Sequence, residues 1–207
     1  MVQNILVLSS WLSGSSSVVD FLERCGASIC RPLTESDGNS SFNPYESADF
    51  RAMMAATIDE TRLEYKGDRN IFKISFKSWL ANEIEKAQIN NNQALVIHHP
   101  LAIFLIDEIL EAADFKIVVV SRPFNEIEQS RVRENWESFY GETGALAIYN
   151  QIYEQLHEKS LSFTAISYND FVISNSAKWN LLDYCGIDAS EANFEKAVRK
   201  TELLPGV

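Results

Sequence analysis

Residues 5–27 read ILVLSSWLSGSSSVVDFLERCGA, and the order of residue types in this stretch decides the fold. A continuous apolar run comes first, suited to a strand covered on both faces. A turn rich in serine and glycine follows. An amphipathic helix then runs to Gly26, a residue suited to a helix C-terminus. A strand that enters such a turn and leaves as a helix presents free backbone N–H groups at the positive end of the helix dipole, an arrangement that binds phosphate. Gly14 lets the backbone approach an anion closely, and Ser15, Ser16 and Ser17 add hydroxyl donors. The patterns G-x-x-x-x-G-K-[ST] and G-x-G-x-x-G are both absent, which removes the main support for an ATPase, a kinase or a dinucleotide-binding protein. The same residues also suit a serine-rich helix start that holds no ligand.

Working outward, apolar runs at 4–9, 27–30, 94–99, 116–121 and 163–167 have the β-branched content of buried parallel strands. Helical spacing predicts helices over 16–24, 47–65, 74–89, 102–112, 124–136, 145–158, 177–184 and 189–200. This alternation predicts an α/β fold, three-layer α/β/α with a central parallel sheet, in a single domain spanning residues 1–207. The polar, turn-rich segment 34–44, TESDGNSSFNP, reads as a loop.

Composition bounds what such a domain does. Apolar residues make up 46% and charged residues 23% of the 207, ordinary for a soluble globular protein. No apolar run approaches the roughly 20 residues needed to span a bilayer. A strand starts almost at once, without a basic leader or a small-residue cleavage site, so the expectation is a cytoplasmic protein with no membrane partner. The net charge of −11 argues against nucleic acid and against an acidic polymer as partner. Three cysteines and three histidines show no metal-ligand spacing, and no metal is expected. A Cys25–Cys30 bridge is conceivable, but buried reduced thiols are the expectation for this compartment.

A second group of residues narrows the reading. In KIVVVSRPFNEIEQS, Arg122 directly follows a strand and Ser130 stands eight residues later on the next helix. An arginine at a strand's C-terminal end points into the crevice where α/β proteins bind ligands, and its planar fork suits a phosphate. Together the two groups resemble the sulfotransferases, which take a sulfuryl group from 3′-phosphoadenosine-5′-phosphosulfate (PAPS). SWLSGSSS resembles their 5′-phosphosulfate loop, and SRPFNEIEQS their 3′-phosphate motif. SFNPYESADF is similar to the N-P-x-G-[YF]-x-E segment of bacterial members, IHHPL to T-H-L-P-L and ISYNDF to Y-E-D-L. Order and spacing agree from about residue 4 to 187.

The resemblance implies that Ser13, Gly14, Ser15 and Ser16 hold the 5′-phosphate, with Ser17 near the adenine. It implies that Arg122 and Ser130 hold the 3′-phosphate and that Tyr168 approaches the adenine. Two residues compete for the base that takes the acceptor's proton: His98, at the position of the catalytic histidine of cytosolic members, and Glu46, in the segment where other branches use a glutamate. His99, on the opposite face of the strand, is the weaker choice. Tyr45, Phe50, Met53, Met54, Phe72, Phe76 and Trp79 are candidates for an apolar acceptor wall or for plain core. The acidic surface suits a small neutral or cationic acceptor.

The chain departs from the family's pattern where charge is needed. The basic residue of the loop falls at Leu12, and the lysine before the family's histidine falls at Val96. A replacement cation would have to come from elsewhere, with Arg51, Arg62, Arg131 and Arg133 as the choices. Three readings therefore stand: a PAPS-dependent sulfotransferase, a catalytically inactive binding module on the same fold, and a transferase using another nucleotide. Arg122 and Ser130 favour a 3′-phosphate ligand over ATP.

Overall fold

The structure is a computed structural model that describes residues 2–34 and 45–201, the side chains of 200 and 201 excepted. Most of the expected loop, residues 35–44, and with it the S-F-N-P part of one family-like segment, lies outside the described residues. In chain order the elements begin with β1 (Gln3–Leu8), α1 (Ser15–Arg24), β2 (Ala27–Ile29) and α2 (Ala48–Thr57). There follow β3 (Ile58–Asp59), β4 (Glu64–Tyr65), α3 (Arg69–Ile89), β5 (Ala94–His98), a 3₁₀ turn (Pro100–Leu105) and α4 (Ile106–Ala112). The second half contains β6 (Lys116–Ser121), α5 (Phe124–Glu134), a 3₁₀ turn (Ser138–Tyr140), α6 (Glu142–Glu158), β7 (Phe163–Ser167), α7 (Tyr168–Ile173), α8 (Asn175–Cys185) and α9 (Glu191–Thr201).

Five of these strands form one parallel sheet in the order β2-β5-β1-β6-β7. Alternation of side chains along each strand then defines two cores. Leu6, Leu8, Leu95, Ile97, Ile117 and Val119 face the layer of α2 to α6. Ile5, Val7, Ala94, Val96, Val118 and Val120 face α1 and α7 to α9. The expected three-layer α/β/α architecture is what the chain adopts. From β1 the chain leaves toward β2 on one side, and from β6 it leaves toward β7 on the other. Neighbouring strands whose connections diverge open a crevice beyond their C-terminal ends. The 9–14 loop and Arg122 lie at that crevice because of this strand order.

One expected element is different. The single helix over 47–65 stops at Thr57, and Ile58–Tyr65 forms an antiparallel hairpin instead. Asp59 turns the chain, its Oδ1 accepting from the N–H and hydroxyl of Thr61 and from the N–H of Arg62. Local side-chain bonding of this kind competes with helix. Other differences are at ends. The α3 helix starts at Arg69, five residues before the expected start, because Asp68 caps it by accepting from the N–H of Asn70. Ser167 caps the short α7, which periodicity does not reveal. All three cysteines are free and buried, and burial pushes the Cys25 thiol up to about 11 and that of Cys185 to about 12.

Candidate active site

The turn after β1 is built from the inside. Ser9, Ser10 and Ser13 are fully buried, and Trp11 is wedged edge-on between the rings of Phe139 and Tyr140. Beneath the turn, the Tyr149 hydroxyl donates to the carbonyl of Val120 at 2.7 Å. This one side chain ties α6 to the end of β6. Leu12 and Gly14 both take the left-handed region, at φ 57° and 84°. Gly14 is the N-cap of α1 and brings no side-chain acceptor to the first-turn N–H groups, which is the arrangement an anion exploits. Ser13 donates to the Ser15 hydroxyl at 3.2 Å.

Residues far apart in sequence meet at this turn. The Tyr168 ring packs directly on Gly14, so that a Cβ there would lie 2.2 Å from ring carbon Cδ2. Arg122 stacks over the same tyrosine ring, its Cζ 5.2 Å from the ring centre. The guanidinium donates through Nη1 to the hydroxyl of Ser130 at 3.2 Å and through Nε to Glu126 at 3.0 Å. Asn169 also donates to Glu126, and these two donors hold its carboxyl below the usual range. The structure thus brings Gly14, Arg122, Ser130 and Tyr168 together, with Ser13, Ser15, Ser16 and Ser17 on the same turn.

The candidate bases lie one strand away. His98 is buried and shares a 3.1 Å hydrogen bond between its Nε2 and the hydroxyl of Ser9; burial lowers its pKa to about 3. His99 faces the other way, accepting the N–H of Leu101 at Nδ1, with its Nε2 3.9 Å from Glu46. Burial, with His98 and Arg51 adding to it, holds His99 well below its ordinary value. Glu46 is buried, and Arg51 Nη1 lies 3.4 Å from its Oε2. The expected acceptor wall divides. Phe50, Met54, Phe72 and Phe76 are core, while Tyr45, Met53 and Trp79 are half-buried, with Tyr45 donating to Asp20 at 2.6 Å.

The missing charges are replaced by apolar packing. Leu12 packs on the core beneath α2 to α6, and Val96 is buried in the opposite core against α1. Of the four basic residues named above, Arg131 is held by Glu128 and the carbonyl of Trp136, and Arg133 reaches Glu134 at the surface. Arg62 is exposed on the hairpin. Arg51 is the one of the four that joins the buried Glu46–His99 group. The hairpin also delivers a residue that the sequence does not single out. It is Glu60, half-buried at the hairpin turn, where burial raises its carboxyl above the ordinary value. Among the described residues, no group of three His, Cys, Asp or Glu side chains is arranged to hold a metal ion. No helix among them is long and apolar enough to cross a membrane.

A parallel sheet whose central strand ends in a glycine turn, beside a strand that ends in an arginine, defines an α/β protein of phosphate-loop build. Within that class, two solved structures share the fold. The sulfotransferase domain of the olefin synthase of Synechococcus superposes with a TM-score of 0.58 at 18% identity, over 93% of this chain and 76% of that one. A sulfotransferase of Mycobacterium tuberculosis superposes with a TM-score of 0.51 at 12% identity, over 99% of this chain and 74% of that one. At these identities the likeness is one of architecture: the chain has a sulfotransferase fold. No protein-family model matches the sequence, and no curated protein matches it.

Proposed function

We propose that this protein binds PAPS and transfers its sulfuryl group to the hydroxyl or amine of a small neutral or cationic acceptor. The observation that carries the reading is the meeting of the Arg122–Ser130 pair and the Gly14 turn at the Tyr168 ring. Two phosphate-binding elements on adjacent strands suit a nucleotide with phosphates at both 5′ and 3′ positions. Ser13, Gly14, Ser15 and Ser16 would hold the 5′-phosphate and Ser17 would lie toward the adenine. Arg122 and Ser130 would hold the 3′-phosphate, with Glu126 aiming the guanidinium, and Tyr168 would support the adenine. When bound, PAPS supplies the activated sulfuryl group.

This chain must orient the acceptor, accept its proton and stabilise charge on the departing phosphate. Arg51 is the cation suited to the last task. Leu12 and Val96, both packed in apolar cores, favour a second reading in which the fold binds the nucleotide without turnover. Incubation with PAPS carrying labelled sulfur and a panel of small phenols and amines separates the two. Labelled product, abolished in Arg122→Ala, supports transfer. No product, with adenosine 3′,5′-bisphosphate still bound, selects the binding module.

A further inference from the structure

The parallel sheet has two edges, and the chain treats them differently. At one edge stands β2, only three residues long. The ion pairs Arg31–Glu23, at 2.7 Å, and Lys86–Glu83, at 2.6 Å, line the cleft along it. A short strand flanked by charge is how proteins keep an open edge from pairing with another chain. At the other edge stands β7, which carries no charged residue and no proline. Phe163 and Ala165 on it are exposed, and among the described residues no strand pairs with its far side.

Hydrogen bonding fixes which backbone groups of β7 are open. The strand runs parallel to β6 with Ile166 opposite Val120, and the Ser121 hydroxyl donates to the carbonyl of Ile166 at 3.5 Å. The Ile166 carbonyl therefore faces β6. By alternation, the N–H and C=O groups of Phe163, Ala165 and Ser167 face the open side. The side chains of Phe163 and Ala165 share the face of Ile117 and Val119, on the α6 side of the sheet. There Tyr153, Leu156, His157, Ser160, Leu161 and Phe163 line a groove without lysine, arginine or carboxylate, the Tyr153 and Phe163 rings edge to face at 6.3 Å. On the other face of the strand, Asp170 is the charged side chain in the corresponding groove.

We propose that β7 is a docking edge for a second copy of this chain, paired antiparallel about a two-fold axis at Ala165. In that register Ala165 meets its own counterpart, and Phe163 meets Ser167 of the other copy. All three residues point their N–H and C=O groups outward, so each opposed pair exchanges both of its hydrogen bonds. Charge selects the same occupant. A chain of net charge −11 repels its own copies over most of its surface, and the uncharged strip of β7 and α6 is where two copies meet without that cost. The two sheets become one, joined through β7. This pairing is independent of the sulfuryl-transfer reading.

Sedimentation velocity of the whole chain over a dilution series tests it. The wild type should run as a dimer that dissociates on dilution. Ala165→Pro removes an outward N–H that β6 does not use, so the monomer tolerates it. It deletes a central hydrogen bond from each copy and should raise the dimer dissociation constant about 10-fold or more. Ala165→Lys and Ala165→Glu each set like charges face to face and should weaken the dimer. Mixed in equal amounts, the two should associate more tightly than either alone, which misfolding cannot produce. Ser28→Lys, on the β2 edge, should leave the dimer unchanged.

A wild type that sediments as a monomer throughout overturns the proposal and leaves the edge to a different partner. A dimer indifferent to Ala165→Pro and to charge at position 165 overturns it too, because the interface then lies on another face. A mixture of the Lys and Glu variants no tighter than its components overturns the two-fold register.

Discussion

Gly14→Ala tests the loop most sharply, because two separable costs meet at one atom. An alanine at φ 84° must hold a left-handed conformation, at about 1–2 kcal/mol. Its Cβ would also fall 2.2 Å from the ring of Tyr168, a side chain only 8% exposed and itself pinned by Arg122. Overpacking of that kind adds about 1–3 kcal/mol. The substitution should therefore destabilise by about 2–5 kcal/mol in all, from the sum of those two costs. In a Tyr168→Ala background the ring is gone and only the backbone part, about 1–2 kcal/mol, should remain. Tyr168→Phe keeps the contacting carbons and should relieve nothing. Urea unfolding of the four proteins in the double-mutant cycle gives the coupling, expected at about 1–3 kcal/mol in favour of the double variant. Additivity to within about 0.5 kcal/mol would refute the claim that Tyr168 closes on Gly14.

Three further outcomes follow from the same geometry. Tyr149→Phe removes the donor to the buried carbonyl of Val120 and should cost about 1–3 kcal/mol in urea unfolding. His98 has a folded pKa of about 3 against 6.5 for the free side chain, so its contribution is full above pH 6.5 and declines as the pH falls toward 3. By linkage the loss at pH 5 is about 2 kcal/mol, and His98→Asn should flatten that part of the stability–pH curve. Arg51→Ala should lower sulfuryl transfer by about 100-fold or more without changing bisphosphate affinity, read by steady-state rates beside calorimetry. Equal losses in rate and affinity would assign Arg51 to nucleotide binding instead.

The parallel sheet was legible because its strands are long apolar runs separated by helical periods, and β6 and β7 fall where those runs predict. The pairing of Arg122 with Ser130 was legible for a related reason. Arg122 directly follows a strand, and Ser130 lies on the helix that begins two residues after it, so local geometry fixes their meeting. The hairpin over 58–65 was illegible because it depends on an Asp59 turn that ends a pattern otherwise suited to helix. The burial of His98 was likewise hidden. Whether a histidine at a strand end opens to the crevice or bonds inward depends on Ser9, which stands 89 positions earlier. Separation in sequence, rather than any oddity of composition, is what kept that contact out of view.

The central claim is a site for a nucleotide phosphorylated at both 5′ and 3′ positions. Calorimetric binding of adenosine 3′,5′-bisphosphate, set against AMP and ATP and repeated in Arg122→Ala and Ser15→Ala, tests it most directly. The account predicts that the bisphosphate binds, that AMP and ATP bind weakly, and that both variants lose the bisphosphate. Binding of AMP as tight as the bisphosphate, or no binding of any of the three, would contradict it.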